Sequence, residues 1–464
     1  MTHENASSLR SIARALAAAS LGFGLIQLDV TIVNVALPRI GATLHAPVDV
    51  LQWVVDAYAL VFAVLLLSAG VLGDRFGARR VFRAGLAVFA LASLGCGLAQ
   101  GAMVLIAMRA LQGAGAAAML PASLALLNHA CHHDARLRAR AVGLWTAAGG
   151  VTIAAGPLIG GLLIAAGSWR TIFLVNLPIC ILGAWLTAHV DETERAPRAP
   201  HLDFAGQALA IAALTGLTGG VIELRPLGLS HPLVLGGFAV ALVAGAAFIR
   251  CEARSRAPML PLRFFHLPSF APAVGFGILA NLTYYGIVFV LSLYLQRVLG
   301  YSAFAAGLAY LPLTATFIVS NVASGWLAGR AGTRRPMIAG ALVGAAGFAL
   351  LLGLGPGTGY LRMLPGFALI PLGMGLAVPA MTTTILSAVD KSASGVAAAV
   401  LNAARQAGGA VGVALFGAFA ANGHIVGGLH AGVLTATAAM LAAAALATWG
   451  IRDRQAAALR PERA

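Results

Sequence analysis

The sequence predicts an all-α polytopic membrane protein of fourteen transmembrane helices, built as two six-helix halves with an inserted two-helix hairpin. Three observations lead there. Of 464 residues, 10% are charged and 60% are hydrophobic, against about 25% charged in ordinary soluble domains. Apolar stretches recur along the whole chain, each offering the about 20 residues that a helix needs to cross hydrocarbon. A glycine- and arginine-rich loop occurs twice. A soluble enzyme, a disordered chain and a disulfide-stapled domain are excluded, because a soluble fold of this length needs far more polar surface. Cys96, Cys131, Cys180 and Cys251 show no CxxC spacing and read as small apolar fillers.

Residues 1–14 form a basic cytoplasmic N-terminus. The first half, 15–189, carries spans at 15–37, 52–72, 81–99, 103–128, 140–166 and 170–189. The opening run follows Arg10 and Arg14 as a signal peptide would, but it holds Asp29 and Asn34 and lacks a cleavage site, so it is kept as a mature helix. A linker over 190–269 carries the inserted spans, 204–223 and 232–250. The second half, 270–451, carries spans at 270–296, 303–328, 336–354, 360–386, 393–421 and 431–451, and residues 452–464 form a cytoplasmic tail.

An even number of spans puts both termini on one side. With the N-terminus inside, most Lys and Arg residues fall in cytoplasmic segments. Arg39, Arg170, Arg225, Arg297 and Arg362 are left outside, and Arg109 and Arg405 lie within spans. This is the bias of the positive-inside rule. The formal net charge of +15 is therefore topological and does not mark a nucleic-acid binder. Some of it is placed to meet anionic headgroups of the lipid bilayer.

The repeat pairs GVLGDRFGARR (70–80), after span 2, with GWLAGRAGTRR (325–335), after span 10. Gly70, Arg75, Gly77 and Arg80 coincide with Gly325, Arg330, Gly332 and Arg335. AGPLIGG (155–161) in span 5 is echoed weakly by AGGAVGV (407–413) in span 13. Two homologous halves around a midplane site are a recurring transporter plan.

Only Asp29 and Asp56, among the acids, lie clearly inside spans, with Glu223 at an outer end. A carboxylate at membrane depth costs several kcal/mol unless it is protonated, paired or facing water. Counted from the outer span ends at 1.5 Å per residue, Asp29 lies roughly 12 Å deep, Asp56 roughly 8 Å and Arg109 roughly 9 Å. All three share one layer. Arg109 is expected to hold Asp29 or Asp56 ionised until a proton or substrate displaces it; the plainer alternative is a permanent ion pair fixing spans 1 and 4. Gln112 and Gly113 share the helical face of Arg109, and Ala116 and Ala117 keep that face small, which suits close packing as well as substrate contact.

Asn34 in span 1 and Gln112 are placed on the wall of a substrate cavity. Asn281, Tyr284 and Tyr285 in span 9, and Asn402, Arg405 and Gln406 in span 13, repeat one spacing at mid-depth. Two such faces suit an amphipathic ligand, although interhelical hydrogen bonds explain them equally well. An uncompensated Arg405 would disfavour cationic substrates, leaving neutral or anionic compounds. Gly156, Pro157, Gly160 and Gly161 make span 5 smooth and kink-prone. In the loop, Asp74 can cap a helix start, with Arg75, Arg79 and Arg80 pairing with it or with lipid. HACHHDAR (129–136) lacks metal-ligand spacing, and no Walker sequence or nucleotide fingerprint is present, so no metal, cofactor or ATP is expected.

LDVTIVNVALP (28–38), GDRFGARR (73–80), RALQGAGAA (109–117) and GPLIGG (156–161) resemble the signature motifs of the major facilitator superfamily, and more narrowly of its fourteen-span drug:proton antiporters. QWVVDAYAL (52–60) and NAARQAGGAVGVALFG (402–417) extend the likeness, which is nearest to methylenomycin-resistance-type exporters. The resemblance implies a monomeric transporter of the bacterial cytoplasmic membrane. It would exchange external protons for drug-like or metabolite molecules by rocking-type alternating access, and so confer antibiotic resistance. It ties Asp29 and Arg109 to proton coupling, assigns GPLIGG to sealing the cavity during exchange, and makes Gly73, Asp74, Arg75, Gly77 and Arg80 a latch on one access state. Gly329 stands where the second repeat would need the counterpart of Asp74. A proton entering across about 180 mV yields about 4 kcal/mol, enough for a roughly thousandfold gradient. The rivals are proton-coupled uptake by the same fold, an intramembrane enzyme, for which no convergent nucleophile or metal cluster is visible, and a non-transporting receptor or scaffold.

Overall fold

The structure, a computed structural model, describes residues 2–131, 135–193, 203–255, 258–390 and 393–451. Every regular element among them is helical. In chain order they are α1 (Thr2–Leu44), α2 (Val48–Phe76), α3 (Ala78–Leu98), α4 (Ala102–Ala130), α5 (Ala135–Ala166), α6 (Thr171–Leu174), α7 (Asn176–Ala188) and α8 (Phe204–Leu227). There follow α9 (Pro232–Arg254), α10 (Phe270–Leu293), α11 (Ala303–Ala309), α12 (Leu311–Ala331), α13 (Arg334–Leu350), α14 (Leu364–Ala388), α15 (Ser394–Phe419) and α16 (Ile425–Gly450).

Among the described residues, twelve helical stretches are long and apolar enough to cross a membrane. A thirteenth is reached if Arg140–Ile153 and Ala155–Ala166, bent by 45°, count as one span. The fourteen expected from the sequence are not reached. The stretch left out is α15, 26 residues long, whose apolar run is interrupted by Asn402, Arg405 and Gln406. Two expected spans carry a one-residue interruption of the helix, the sixth between α6 and α7 at Val175 and the tenth between α11 and α12 at Tyr310, and each still counts as one membrane-length stretch.

The chain falls into two compact units. The first comprises Met1–Ala213, Ala244–Met259 and Ser302–Leu308; the second comprises Leu214–Val243, Leu260–Tyr301 and Ala309–Ala464. In the first, α1 packs on α5, and α4 receives α2 and α3. In the second, α10 packs on α15, and α14 receives α12 and α13. The same pairing scheme thus serves both halves of the sequence repeat.

Small residues permit these approaches, since packing between membrane helices depends on close van der Waals contact. Gly113 of α4 lies against the backbone carbonyl of Tyr58 on α2, where a Cβ would collide. Around this contact Phe62, Phe82, Phe89 and Met119 form the buried core.

Candidate functional site

Arg109 projects from α4 into the first unit and is 1% exposed, although it is among the largest fully buried side chains. A guanidinium there needs partners on every side. One Nη makes a short ion pair with Asp29 Oδ2 on α1 and donates to Gln112 Oε1 at 2.8 Å. Its Nε donates to the Val54 carbonyl of α2 at 3.1 Å. The Tyr58 ring lies 4.4 Å and the Phe173 ring 5.8 Å from the guanidinium carbon, within cation–π range.

The other carboxylate oxygen of Asp29 is held by amides. Asn176 Nδ2 donates to Oδ1 at 3.1 Å and Gln112 Nε2 at 3.3 Å. Both amides also donate to Ser93 Oγ on α3, at 3.3 and 2.7 Å. Cys96 Sγ donates to Gln112 Oε1 at 3.4 Å. The break between α6 and α7 positions Asn176, which opens α7 directly after Val175. Asp29, Gln112, Ser93 and Asn176 are all fully buried. One carboxylate and one guanidinium therefore tie α1, α2, α3, α4 and α7 together, with an aromatic face behind the cation. Either ion can exchange partners only if the other is neutralised or displaced.

Asp29 and Arg109 are brought together as the sequence suggested, and the pairing falls on Asp29 rather than Asp56. Asp56 is also fully buried, but no described residue hydrogen-bonds to its carboxylate oxygens. Gln112, expected on a cavity wall, is instead bonded into the ion pair. Asn34 is buried and donates to the Val30 carbonyl of its own helix at 3.2 Å.

In the second unit, Arg405 Nε donates to Asn281 Oδ1 at 3.2 Å, joining α15 to α10. Tyr284 and Tyr285 stack edge to face at 5.4 Å, and Gly409 makes room for the Tyr285 ring. Asn402 and Gln406 stand half-buried beside Arg405. Arg405 is thus hydrogen-bonded to an amide, whereas Arg109 meets a carboxylate.

In α5, Gly156 lies against Thr31, and a Cβ on Gly160 would come within 2.8 Å of the Ile32 side chain. The bend of this helix falls just before Gly156. Gly307 of α11 lies against the Pro157 carbonyl, and Gly161 faces the Ala303 carbonyl.

The loop at 70–80 differs from expectation. Asp74 is exposed in the last turn of α2 and does not cap α3. The first amides of α3 donate to residues beyond α7: Arg79 N to Glu192 Oε1 at 2.8 Å and Ala78 N to Thr193 Oγ1 at 2.8 Å. Arg79 and Arg80 approach Glu192 at 3.9 and 3.8 Å, and Arg79 Nη1 donates to the Val190 carbonyl at 2.9 Å. Gly77 links α2 to α3 at φ +94°, a left-handed conformation that favours glycine, and a Cβ there would strike the Glu192 carboxylate. Gly73 accepts from the Gly77 amide at 2.9 Å, and Arg75 lies exposed near the Phe76 ring.

Sequence reasoning missed Ser93, Cys96, Asn176 and Glu192. Asn176, immediately before a Leu-Pro step in an apolar span, offered the best available signal. Among the described residues no group of three or more His, Cys, Asp or Glu could hold a metal ion; His132, His133 and Asp134 lie outside the described residues.

The chain is 38% identical over 400 residues to the methylenomycin A resistance protein of Bacillus subtilis (strain 168), covering 86% of this chain and 85% of that protein. It is 37% identical over 402 residues to the multidrug resistance protein Stp of Mycobacterium tuberculosis (strain CDC 1551 / Oshkosh), covering 87% and 74%. The crystal structure of the human organic anion transporter MFSD10 (TETRAN) superposes with a TM-score of 0.65 at 16% identity, covering 94% of this chain and 99% of that one, which shows the fold alone. The Major Facilitator Superfamily profile matches residues 19–413. The chain therefore belongs to the major facilitator superfamily, as a membrane transporter related to drug-efflux and antibiotic-resistance proteins and not an enzyme.

Proposed function

We propose that this transporter exports drug-like or metabolite molecules across the cytoplasmic membrane in exchange for protons, by alternating access. The observation that carries the reading is the buried Asp29–Arg109 pair. A proton reaching Asp29 neutralises the carboxylate and releases Arg109, which keeps the Val54 carbonyl and the Tyr58 ring as partial compensation. Asp56, buried without a described hydrogen-bond partner, serves as a second proton-carrying group. The amides around Asp29 hold its ionised form until then.

The polar face of Asn281, Tyr284, Tyr285, Asn402, Arg405 and Gln406 in the second unit receives the substrate. A cation beside an amide, with no carboxylate in the described bonding of Arg405, favours neutral or anionic compounds over cationic ones. Gly156, Pro157, Gly160 and Gly161 seal the cavity during exchange, and the Gly73–Arg80 loop latches one access state. α15 completes fourteen spans, so that 15–189 and 270–451 are the two halves, 190–269 is the insert and both termini are cytoplasmic. The working unit is a monomer. The names of the resistance relatives favour export over uptake.

Everted membrane vesicles test this directly, with substrates drawn from a resistance panel in an efflux-deficient host. The expected result is accumulation on energisation that a protonophore abolishes, and no accumulation with Asp29→Asn despite equal protein in the membrane. Full activity of Asp29→Asn, or energised uptake by intact cells instead, overturns the proposal.

A further inference from the structure

We propose that a groove between α3 and α7 is a binding site for the anionic headgroup of a membrane phospholipid. The groove encloses about 520 Å³, within the roughly 300–1,000 Å³ typical of small-molecule sites. Its polar end is formed by Arg79, Arg80 and Arg83, and its walls include Ala87, Ile181 and Ala184. Its arginines are not part of the Asp29–Arg109 pair, although Arg79 and Arg80 also belong to the Gly73–Arg80 loop proposed above as a latch.

The charges are what need an explanation. Three arginines occupy the first six residues of α3, at the helix end where the macrodipole favours anions and disfavours cations. Glu192 approaches Arg79 and Arg80, so among the described acids one carboxylate faces three guanidinium groups. Arg80 remains 62% exposed in its side chain and Arg83 is exposed too. An additional anion is therefore favoured at this end.

The walls decide which anion. From Arg83 the exposed face of α3 continues through Ala84 and Ala87 to Leu91, and Ile181 of α7 is 69% exposed. These apolar surfaces suit an acyl chain and offer nothing to a free phosphate ion. Trp185, exposed beside Ala184, meets the ring of His189 at 5.3 Å, the kind of amphipathic aromatic found at headgroup level. Basic pockets between membrane helices bind anionic headgroups on this principle. On the orientation proposed above, the leaflet is the cytoplasmic one.

The test uses the purified full-length transporter and native mass spectrometry, titrating phosphatidylglycerol, phosphatidylethanolamine and inorganic phosphate separately. At about 1 kcal/mol per arginine, Arg83→Gln should weaken phosphatidylglycerol retention about fivefold and Arg80→Gln/Arg83→Gln about thirtyfold. Ala87→Phe, which fills the apolar wall and keeps every charge, should also lose the lipid. Arg335→Gln, at the position of Arg80 in the second repeat, should retain it. Retention unchanged in both arginine variants, displacement by millimolar phosphate, or equal retention of phosphatidylethanolamine would overturn the site. None of these readouts depends on transport, so they stand apart from the fate of the export proposal.

Discussion

The two arginines within spans, Arg109 and Arg405, are compensated differently and stand on helices that do not correspond in the repeat: Arg109 on α4, the counterpart of α14, and Arg405 on α15, the counterpart of α5. Arg109 is fully buried, ion-paired with Asp29, bonded to Val54 and Gln112 and backed by two aromatic rings. Arg405 is half-buried and donates to the neutral Asn281. In the first arrangement a cation meets an anion within hydrogen-bonding reach. In the second the described hydrogen bond of the cation runs to a neutral amide. Each half thus carries one arginine within its spans, paired with an acid in the first and hydrogen-bonded to an amide in the second. The loops show the same asymmetry, with Asp74 in one and Gly329 in the other.

Asp29→Asn breaks the comparison most severely, because it leaves Arg109, like Arg405, beside an amide in place of an acid. Leaving Arg109 buried without its carboxylate is expected to cost about 3–5 kcal/mol in thermal unfolding of the purified protein. Adding Arg109→Gln should restore most of that stability while vesicle transport stays absent. A double variant that transports would show the pair to be purely structural.

Gly156→Val drives a branched side chain into Thr31, two residues from Asp29. Such overpacking costs about 1–3 kcal/mol, visible as a lower Tm and slower transport. Asn281→Asp sharpens the contrast from the other side by giving Arg405 an acid. Resistance to anionic substrates should fall about tenfold, equivalent to ~1.4 kcal/mol, with neutral substrates little affected. The smallest effect is expected for Glu192→Gln, which weakens two partly exposed ion pairs and leaves an acceptor for the α3 amide. About 0.5–1 kcal/mol of unfolding free energy is the expected loss, read as a slightly lower Tm.

The ions within spans were legible because nothing bland accounts for a charge in hydrocarbon, and Asp29 and Arg109 duly meet. Helix number was less legible at α15, where Arg405, Gln406 and Asn402 dilute an otherwise apolar run. Ser93, Cys96 and Asn176 escaped notice because small polar side chains in membrane helices commonly serve ordinary packing, and only the fold shows Asn176 reaching the Asp29 carboxylate while Ser93 and Cys96 bond to the amides around it. Glu192 escaped for a different reason. It lies just past a span end, where any charge looks like solvation, and its role as the cap of α3 depends on a contact more than a hundred residues distant in sequence.

The ion pair also sets a schedule for biogenesis. Arg109 lies 80 residues after Asp29, and Asn176 follows 147 residues after it. At about 5–20 residues per second of synthesis, α1 leaves the ribosome about 4–16 s before its counter-charge exists. During that interval α1 has to wait at the membrane surface or cross with its carboxylate neutralised. Asp29 meets its counter-charge only once the fourth helix is made, and its last amide partner arrives only with α7.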